Sequence, residues 1–375
     1  MEIKAWFDKN IKGDPIIWLV VFGLSLMSVL VVYSATGTLA YKMKEGNTEY
    51  YLIKHSVLVI ISLAAMWVAH KFDYRLYAKL SRLALWISVP LLILVHFFGK
   101  NINAANRVFI IFGNSFQPSD LAKLALISSI AAMLAKRQQH IEDIKESLIP
   151  ILLWCGIICG LIALSNFSTA ALLFATCVLL MFIGRVPVKY LVSLFLIGSV
   201  LVTIGLYAGN RLETVASRIS SFIETLYDSS KVHYQVEQSF IAVATGGALG
   251  KGIGHSEQRN ILPNAYNDFI FAIIVEEYGL IGGGVVILFY LILLYRGMLA
   301  VSKSDRAFGG LLSAGLSFSL VIQAFANMAV AVGLIPVTGQ PLPLLSMGGT
   351  SLLFTGLSIG IIISVSRGEI KEGRV

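Results

Sequence analysis

Asp268 stands at the mouth of a long apolar segment, in the run Leu262-Pro263-Asn264-Ala265-Tyr266-Asn267-Asp268-Phe269-Ile270-Phe271-Ala272. A carboxylate costs little at a membrane surface, but one aimed into a cavity at membrane depth is kept for a purpose. Positive charge is available elsewhere: Arg107, then Lys123 at the end of Phe116-Gln117-Pro118-Ser119-Asp120-Leu121-Ala122-Lys123. Arginine grips an anionic headgroup bidentately and lysine meets it as a point charge. The alternative for Lys123 is an ion pair with Asp120, three residues earlier on a helix. Pro118 and Ser119 suit a helix start, with Ser119 as the N-cap. Lys251 lies among Gly246, Gly247, Gly250, Gly252 and Gly254, which permit tight turns and close backbone approach to a ligand. The Gly-Lys-Ser/Thr ending of a nucleotide loop is missing. Glu276 and Glu277 fall about two turns inside the apolar segment, where acids need a wet cavity or a basic partner. Asn327 precedes Gly333 to Ser351, a stretch too rich in proline and glycine for a continuous helix. Such backbone survives at membrane depth only against protein or a water-filled cavity; otherwise it is an ordinary outer loop.

The elements that must position these residues follow from composition. Of 375 residues 57% are hydrophobic and 13% charged, against about 25% charged in a soluble domain. Apolar runs long enough to cross about 30 Å of hydrocarbon recur along the chain. The expected fold is an all-α polytopic membrane protein, one domain over residues 1–375, with ten spans. These are Ile16 to Ala35, Ser56 to Ala69, Leu83 to Phe98, Leu121 to Leu134, Leu148 to Leu164, Thr169 to Ile183, Val188 to Tyr207, Phe269 to Tyr295, Gly310 to Val332 and Leu352 to Val365. The second and fourth are short, so those helices should extend further. Most of the 29 Lys and Arg fall on one side if the N-terminus is cytoplasmic, which places both termini inside and the loop 209–267 and Asp268 outside. The net charge of +8 then reflects span flanks and implies no nucleic acid.

The first apolar run is too long for a signal h-region and reads as a true span. Cys155, Cys159 and Cys177 lie inside spans without metal spacing and read as packing residues. Within the long loop, Leu212, Val215, Ile219, Phe222 and Leu226 recur at helical spacing, with Arg211, Glu213, Arg218 and Glu224 on other faces. That is an amphipathic helix, either in the membrane interface or packed over the bundle. Lys136 to Glu146 reads as a solvated mixed-charge loop.

Several of these segments resemble the SEDS glycosyltransferases (shape, elongation, division and sporulation), the group containing FtsW and RodA. The stretch around Asp268 is similar to P-x-A-x-x-D-F-I-F-A; Arg107 to Lys123 to R-W-I-x-x-G-x-x-x-Q-P-S-E-x-A-K; and Asn327 to Ser351 to N-x-x-x-x-x-G-L-x-P-x-T-G-x-x-L-P-x-x-S-x-G-G-S-S. Tyr234-Gln235, Ser239 and Gly246 to Gly254 resemble the stretch before the catalytic loop. The Leu262-Pro263 ahead of Asp268 leans towards FtsW. Val108 replaces Trp, Asp120 replaces Glu and Met347 an aromatic; Ser165-Asn166-Phe167-Ser168-Thr169 stands where relatives often carry Pro-Asp and Gly-Thr.

The resemblance implies an inverting polymerase of lipid II, undecaprenyl-pyrophosphoryl disaccharide-peptide, on the outer face of the bacterial cytoplasmic membrane. It implies a class B penicillin-binding transpeptidase and other divisome or elongasome membrane proteins as partners, with division the nearer role. Asp268 matches the essential aspartate, the general base for the acceptor hydroxyl. Arg107, Gln117, Ser119, Lys123, Lys251, Glu276 and Asn327 are the substrate-binding expectations. Positive charge for the departing pyrophosphate comes from Arg107, Lys123 and Lys251, or from a divalent cation, magnesium or manganese. One essential carboxylate suits direct displacement with inversion, since a retaining route needs a second as nucleophile. Two other classes use similar features: a lipid-precursor flippase or carrier, and a non-catalytic scaffold for the transpeptidase. A carrier would favour polar residues near the midplane, whereas here they cluster on the outer side.

Overall fold

The computed structural model describes residues 12–37, 39, 47–102, 105–111, 114–138, 148–208, 212–227, 234–304 and 306–368. Helix α1 (Pro15–Ala35) starts where Pro15 occupies the first turn and Asp14 caps the Ile16 N–H. That supplies an acceptor for an N–H that the helix cannot satisfy itself. Asp14 also pairs with Arg296 at 2.5 Å, tying α1 to a later helix. Helix α2 (Thr48–Lys71) is capped by Asn47 and α3 (Tyr74–Phe98) by Asp73. Then come three short antiparallel strands, β1 (Lys100–Ile102), β2 (Ala105–Ile111) and β3 (Asn114–Phe116), in the order β1-β2-β3. Helices α4 (Pro118–Lys136), α5 (Ile149–Ser165), α6 (Phe167–Ile183) and α7 (Val188–Ala208) follow. After α8 (Leu212–Tyr227) and α9 (Tyr234–Gly246) the chain runs through a single 3-10 turn into α10 (Ile270–Lys303), α11 (Ala307–Ala331) and α12 (Gly349–Arg367).

Seven of these, α1 to α4 and α10 to α12, are long and apolar enough to span a membrane, and α5 and α6 are shorter apolar helices among the described residues. Their outer faces stay apolar: Leu19, Phe22, Leu83 and Trp86 are exposed, as lipid-facing residues must be. The core between helices holds Ile17, Val20, Leu24, Leu126, Ile130 and Ile162. The cysteines are free and buried there, packing residues as expected. The second and fourth spans extend beyond Ser56–Ala69 and Leu121–Leu134. Most of the Lys136 to Glu146 loop lies outside the described residues.

Two expectations need correction, and one segment is added. Between α3 and α4, where the sequence reading assigned no element, β1 pairs antiparallel with β2 and β2 with β3. Ser119 is not the N-cap: Gln117 holds that position without a side-chain cap, Pro118 is the first helical residue and Ser119 lies within the helix. The eighth span is not one continuous helix, since α10 breaks at Gly279 (φ 69°, ψ −175°).

The break is backed by the glycine-rich turn after α9. The Lys251 and Gly252 N–H groups donate to the Glu276 and Glu277 carbonyls at 2.9 and 3.0 Å. In return the Leu280 and Ile281 N–H groups donate to Gly247 and Ala248 at 2.9 and 3.3 Å. Four polar groups that the break frees are thus satisfied by protein, as membrane depth demands. The approach is so close that a Cβ on Gly250 would lie 2.2 Å from the Glu277 oxygen, and one on Gly279 2.2 Å from the Ala248 oxygen.

Candidate active site

Asp268 precedes the first half of α10, and its position is set by backbone contacts on both sides. Its N–H donates to Asn264 at 3.1 Å. Its carbonyl accepts from Asn327 Nδ2 of α11 at 2.9 Å, and the same nitrogen donates to the Gln340 carbonyl at 2.8 Å. Ser346 donates to the Asn267 carbonyl at 2.6 Å and accepts from the Leu342 N–H at 2.7 Å. The Met347 N–H donates to Tyr266 at 3.0 Å. The Pro-Gly segment between α11 and α12 is therefore not a free loop. It is pinned to the segment carrying Asp268, and Ser28 of α1 reaches its Leu345 carbonyl from beneath.

These contacts leave a cavity of about 160 Å³ lined by Asp268, Arg107, Gln117, Asp120, Lys123 and Asn166, and closed by the Pro-Gly segment. The Asp268 carboxylate accepts from Asn267 Nδ2 at 2.8 Å. Burial pushes its pKa up from 3.8 to about 6, against the opposing pull of Arg107 and Arg218. Lys123 pairs with Asp120 at 2.9 Å and bonds Gln323 Oε1 at 3.3 Å. Lys123 therefore forms the ion pair with Asp120, and it also lines the cavity. Arg107 Nε donates to the Ser165 carbonyl at 2.9 Å, which swings its guanidinium between this cavity and a second, mostly apolar groove of about 260 Å³. That groove runs between α6, α8 and the Pro-Gly segment, with Val215, Ile219 and Ile335 on its walls.

Of the eight expected site residues, Asp268, Arg107, Gln117 and Lys123 line one cavity. Ser119 lies beneath it, accepting from Gln117 Nε2 at 2.8 Å. Asn327 is 1% exposed and spends its amide on backbone carbonyls. Lys251 and Glu276 do not join the cavity. Glu276 accepts from Lys251 Nζ at 2.9 Å, the Ser256 hydroxyl, and the Glu257 and Gln258 N–H groups at 3.1 and 3.2 Å. The buried acid finds its basic partner, and its work is to fold the loop 251–258 onto α10. Glu277 is held by Ser34 of α1, which also accepts from Arg259 at 2.8 Å.

Three lining residues escaped the sequence reading. Asn166 caps α6 through Thr169, and Gln340 Nε2 donates to Thr169 Oγ1 at 2.8 Å. The departure from Pro-Asp at that stretch was the available signal. Arg218 belongs to the amphipathic helix read as either interfacial or packed over the bundle; it donates to the Val337 carbonyl at 3.2 Å, so α8 packs over the Pro-Gly segment. Among the described residues no three His, Cys, Asp or Glu converge as metal ligands.

A broken-helix membrane bundle with a half-buried carboxylate that shares one cavity with two cationic side chains defines the class. The family model for cell cycle proteins of the FtsW/RodA/SpoVE type matches residues 14–371. A probable peptidoglycan glycosyltransferase FtsW of Geobacter sp. (strain M18) is 32% identical over 365 residues, covering 96% of this chain and 98% of that protein. Stage V sporulation protein E of Bacillus subtilis (strain 168) is 33% identical over 368 residues, covering 95% and 98%. Among solved structures, a chain of a peptidoglycan synthase complex that coordinates polymerization and crosslinking superposes with TM-score 0.74 at 24% identity, covering 95% and 98%. The rod shape determining protein RodA of Thermus thermophilus superposes with TM-score 0.69 at 23% identity, covering 95% and 97%. The chain belongs to the FtsW/RodA/SpoVE family of multi-pass membrane proteins.

Proposed function

We propose that this chain is a peptidoglycan glycosyltransferase that polymerises lipid II into glycan strands, with Asp268 as general base and inversion at the sugar. The observation that carries the reading is the cavity in which Asp268 faces Arg107 and Lys123. A carboxyl with a pKa near 6 is ionised at neutral pH yet basic enough to accept the proton of an acceptor hydroxyl. The two cations line the cavity where a departing pyrophosphate would gather negative charge. The donor brings its own activation, so no nucleotide is needed. The apolar groove that shares Arg107 and Asn166 with the cavity supports a lipid-linked donor, since a polyprenyl chain needs an apolar path beside its phosphates.

Magnesium or manganese binds by one or two carboxylates together with substrate phosphates rather than in an all-protein cage, and Asp120 is the carboxylate of this cavity that would be free of the base's role. Bound there it would neutralise pyrophosphate charge. Partners follow from family membership: a class B penicillin-binding transpeptidase and other divisome or elongasome membrane proteins. The relatives named FtsW favour a role in division. The chain sits in the bacterial cytoplasmic membrane with both termini inside and Asp268 opening outward, the orientation that the Lys and Arg distribution favours.

The test is Asp268→Asn, purified with its partner and supplied with lipid II. Asn keeps the shape but takes no proton at neutral pH. Polymerisation should fall by about 10²–10⁴-fold, the usual contribution of a general base, while the protein still folds and binds its partner. A variant that polymerises at near the wild-type rate removes Asp268 from the reaction.

A further inference from the structure

A second cavity lies away from the one around Asp268. It measures about 630 Å³ and is lined by Arg75, Lys79, Arg82, Lys136 and Arg306 together with Ala132, Ala135 and Phe308. It lies at the opposite end of the bundle. Lys123 at the start of α4 faces the Asp268 cavity and Lys136 at its end faces this one, about 20 Å apart at 1.5 Å per residue. Among its described lining residues none is acidic. Arg75 also contacts Asp73 at 3.8 Å, at the edge of ion-pair range.

The cavity is built by periodicity. Arg75, Lys79, Arg82 and Trp86 recur at intervals of four, three and four along α3, so they share one face. Opposite them α4 presents the small Ser129, Ala132 and Ala135, which leave room between the helices. The cavity continues into a second of about 280 Å³, which shares Ala78, Arg82, Ala132 and Lys136 with it and is walled by Leu85, Trp86, Met133 and Trp154. The two indoles pack edge to face at 4.9 Å. The basic chamber thus opens onto a second cavity where Arg82, Lys136 and Arg137 meet the apolar wall of Leu85, Trp86, Met133 and Trp154. Tryptophans sit at the level of lipid headgroups, and basic pockets between helices on the cytoplasmic side suit anionic lipid headgroups.

We propose that this α3–α4–α11 chamber is a binding site for an anionic glycerophospholipid of the inner leaflet. Its phosphodiester would be held by Arg82 and Lys136, and one acyl chain would run down the Trp86–Trp154 slot. The site is separate from the lipid-pyrophosphate site around Asp268, and only the leaflet assignment rests on the orientation proposed above.

Native mass spectrometry of the purified full chain, titrated with phosphatidylglycerol or with phosphatidylcholine of the same acyl chains, tests this. Wild type should retain phosphatidylglycerol selectively. Each basic residue near anionic lipid is worth about 1 kcal/mol, roughly fivefold in affinity, so Arg82→Gln with Lys136→Gln should bind about 25-fold more weakly. Arg185→Gln with Lys189→Gln removes two charges at the same end of the bundle, where Gly184 abuts Leu134 of α4, but outside the chamber. That variant should bind within twofold of wild type. Unfolding in phosphatidylcholine nanodiscs reads folding separately, and Arg82→Lys with Lys136→Arg should keep the affinity. Equal weakening by both charge-removing pairs would show diffuse surface attraction and overturn the site. Competition by soluble glycerol phosphate at the lipid's own concentration would make it a free-phosphate pocket and overturn the lipid assignment. Unchanged phosphatidylglycerol binding in the Arg82→Gln, Lys136→Gln variant would overturn it as well.

Discussion

Asn327 separates two ways of serving the reaction. Read as sequence it is a substrate contact, but in the fold its Nδ2 donates at 2.9 Å to the Asp268 carbonyl and at 2.8 Å to the Gln340 carbonyl. It lies 1% exposed at the centre of the cradle. Asn327→Ala removes two buried hydrogen bonds and leaves carbonyls without that partner. At about 1 kcal/mol per bond, rising to 1–3 where a buried group is orphaned, the cost is about 2–4 kcal/mol. Part of it appears as lower stability and part as slack in the segment carrying Asp268. A displacement of about 1 Å at a reacting group can cost 10²-fold. The expectation is a kcat lower by roughly 10²-fold with KM within about twofold, and a lower unfolding temperature. Asn327→Asp should be no better, because a carboxylate has no donor for either carbonyl. The assay is steady-state lipid II polymerisation by the purified protein with its partner, alongside thermal unfolding. A raised KM with unchanged kcat would mean that Asn327 touches substrate after all. A variant like wild type in both would mean that the cradle does not hold Asp268.

Four further outcomes can be measured. The raised Asp268 pKa predicts polymerisation that falls about tenfold per unit as pH drops below 6. Because the folded pKa lies above the free value of 3.8, the fold favours the protonated acid: the stabilisation is full below about pH 4 and is lost as pH rises to 6. Asp268→Asn should therefore be more stable than wild type at pH 7 to 8, by on the order of 3 kcal/mol, measured by thermal unfolding. Gly250→Ala and Gly279→Ala each place a Cβ 2.2 Å from a carbonyl oxygen at positive φ and should prevent accumulation in the membrane. Gly284→Ala, with nothing within 4 Å, should accumulate normally on immunoblots. Leu249→Cys, 80% exposed beside the glycine-rich turn, should react with an impermeant maleimide in intact cells. Lys79→Cys should react only after permeabilisation, and the reverse pattern would invert the proposed orientation.

Composition and periodicity alone made this a helical membrane protein, because burying a polytopic chain in hydrocarbon leaves its signature in every span. The motifs around Arg107, Asp268 and Asn327 were legible too, since each is a local run of residue types. The juxtaposition was not. Asp268, Arg107 and Lys123 come from three separate segments, and the contacts among α4, α10, α11 and the Pro-Gly segment bring them to one cavity. Glu276 is the sharper case. Its depth marked it as needing a base or water, and the sequence placed Lys251 in reach of a ligand, but neither spacing nor composition says that the two meet each other. That depended on the break at Gly279, where the glycine-rich turn takes over the hydrogen bonds that α10 gives up. A glycine inside an apolar run reads the same whether the helix continues or breaks. The partner backbone that makes the break affordable at membrane depth lies about thirty residues away and is visible only in three dimensions.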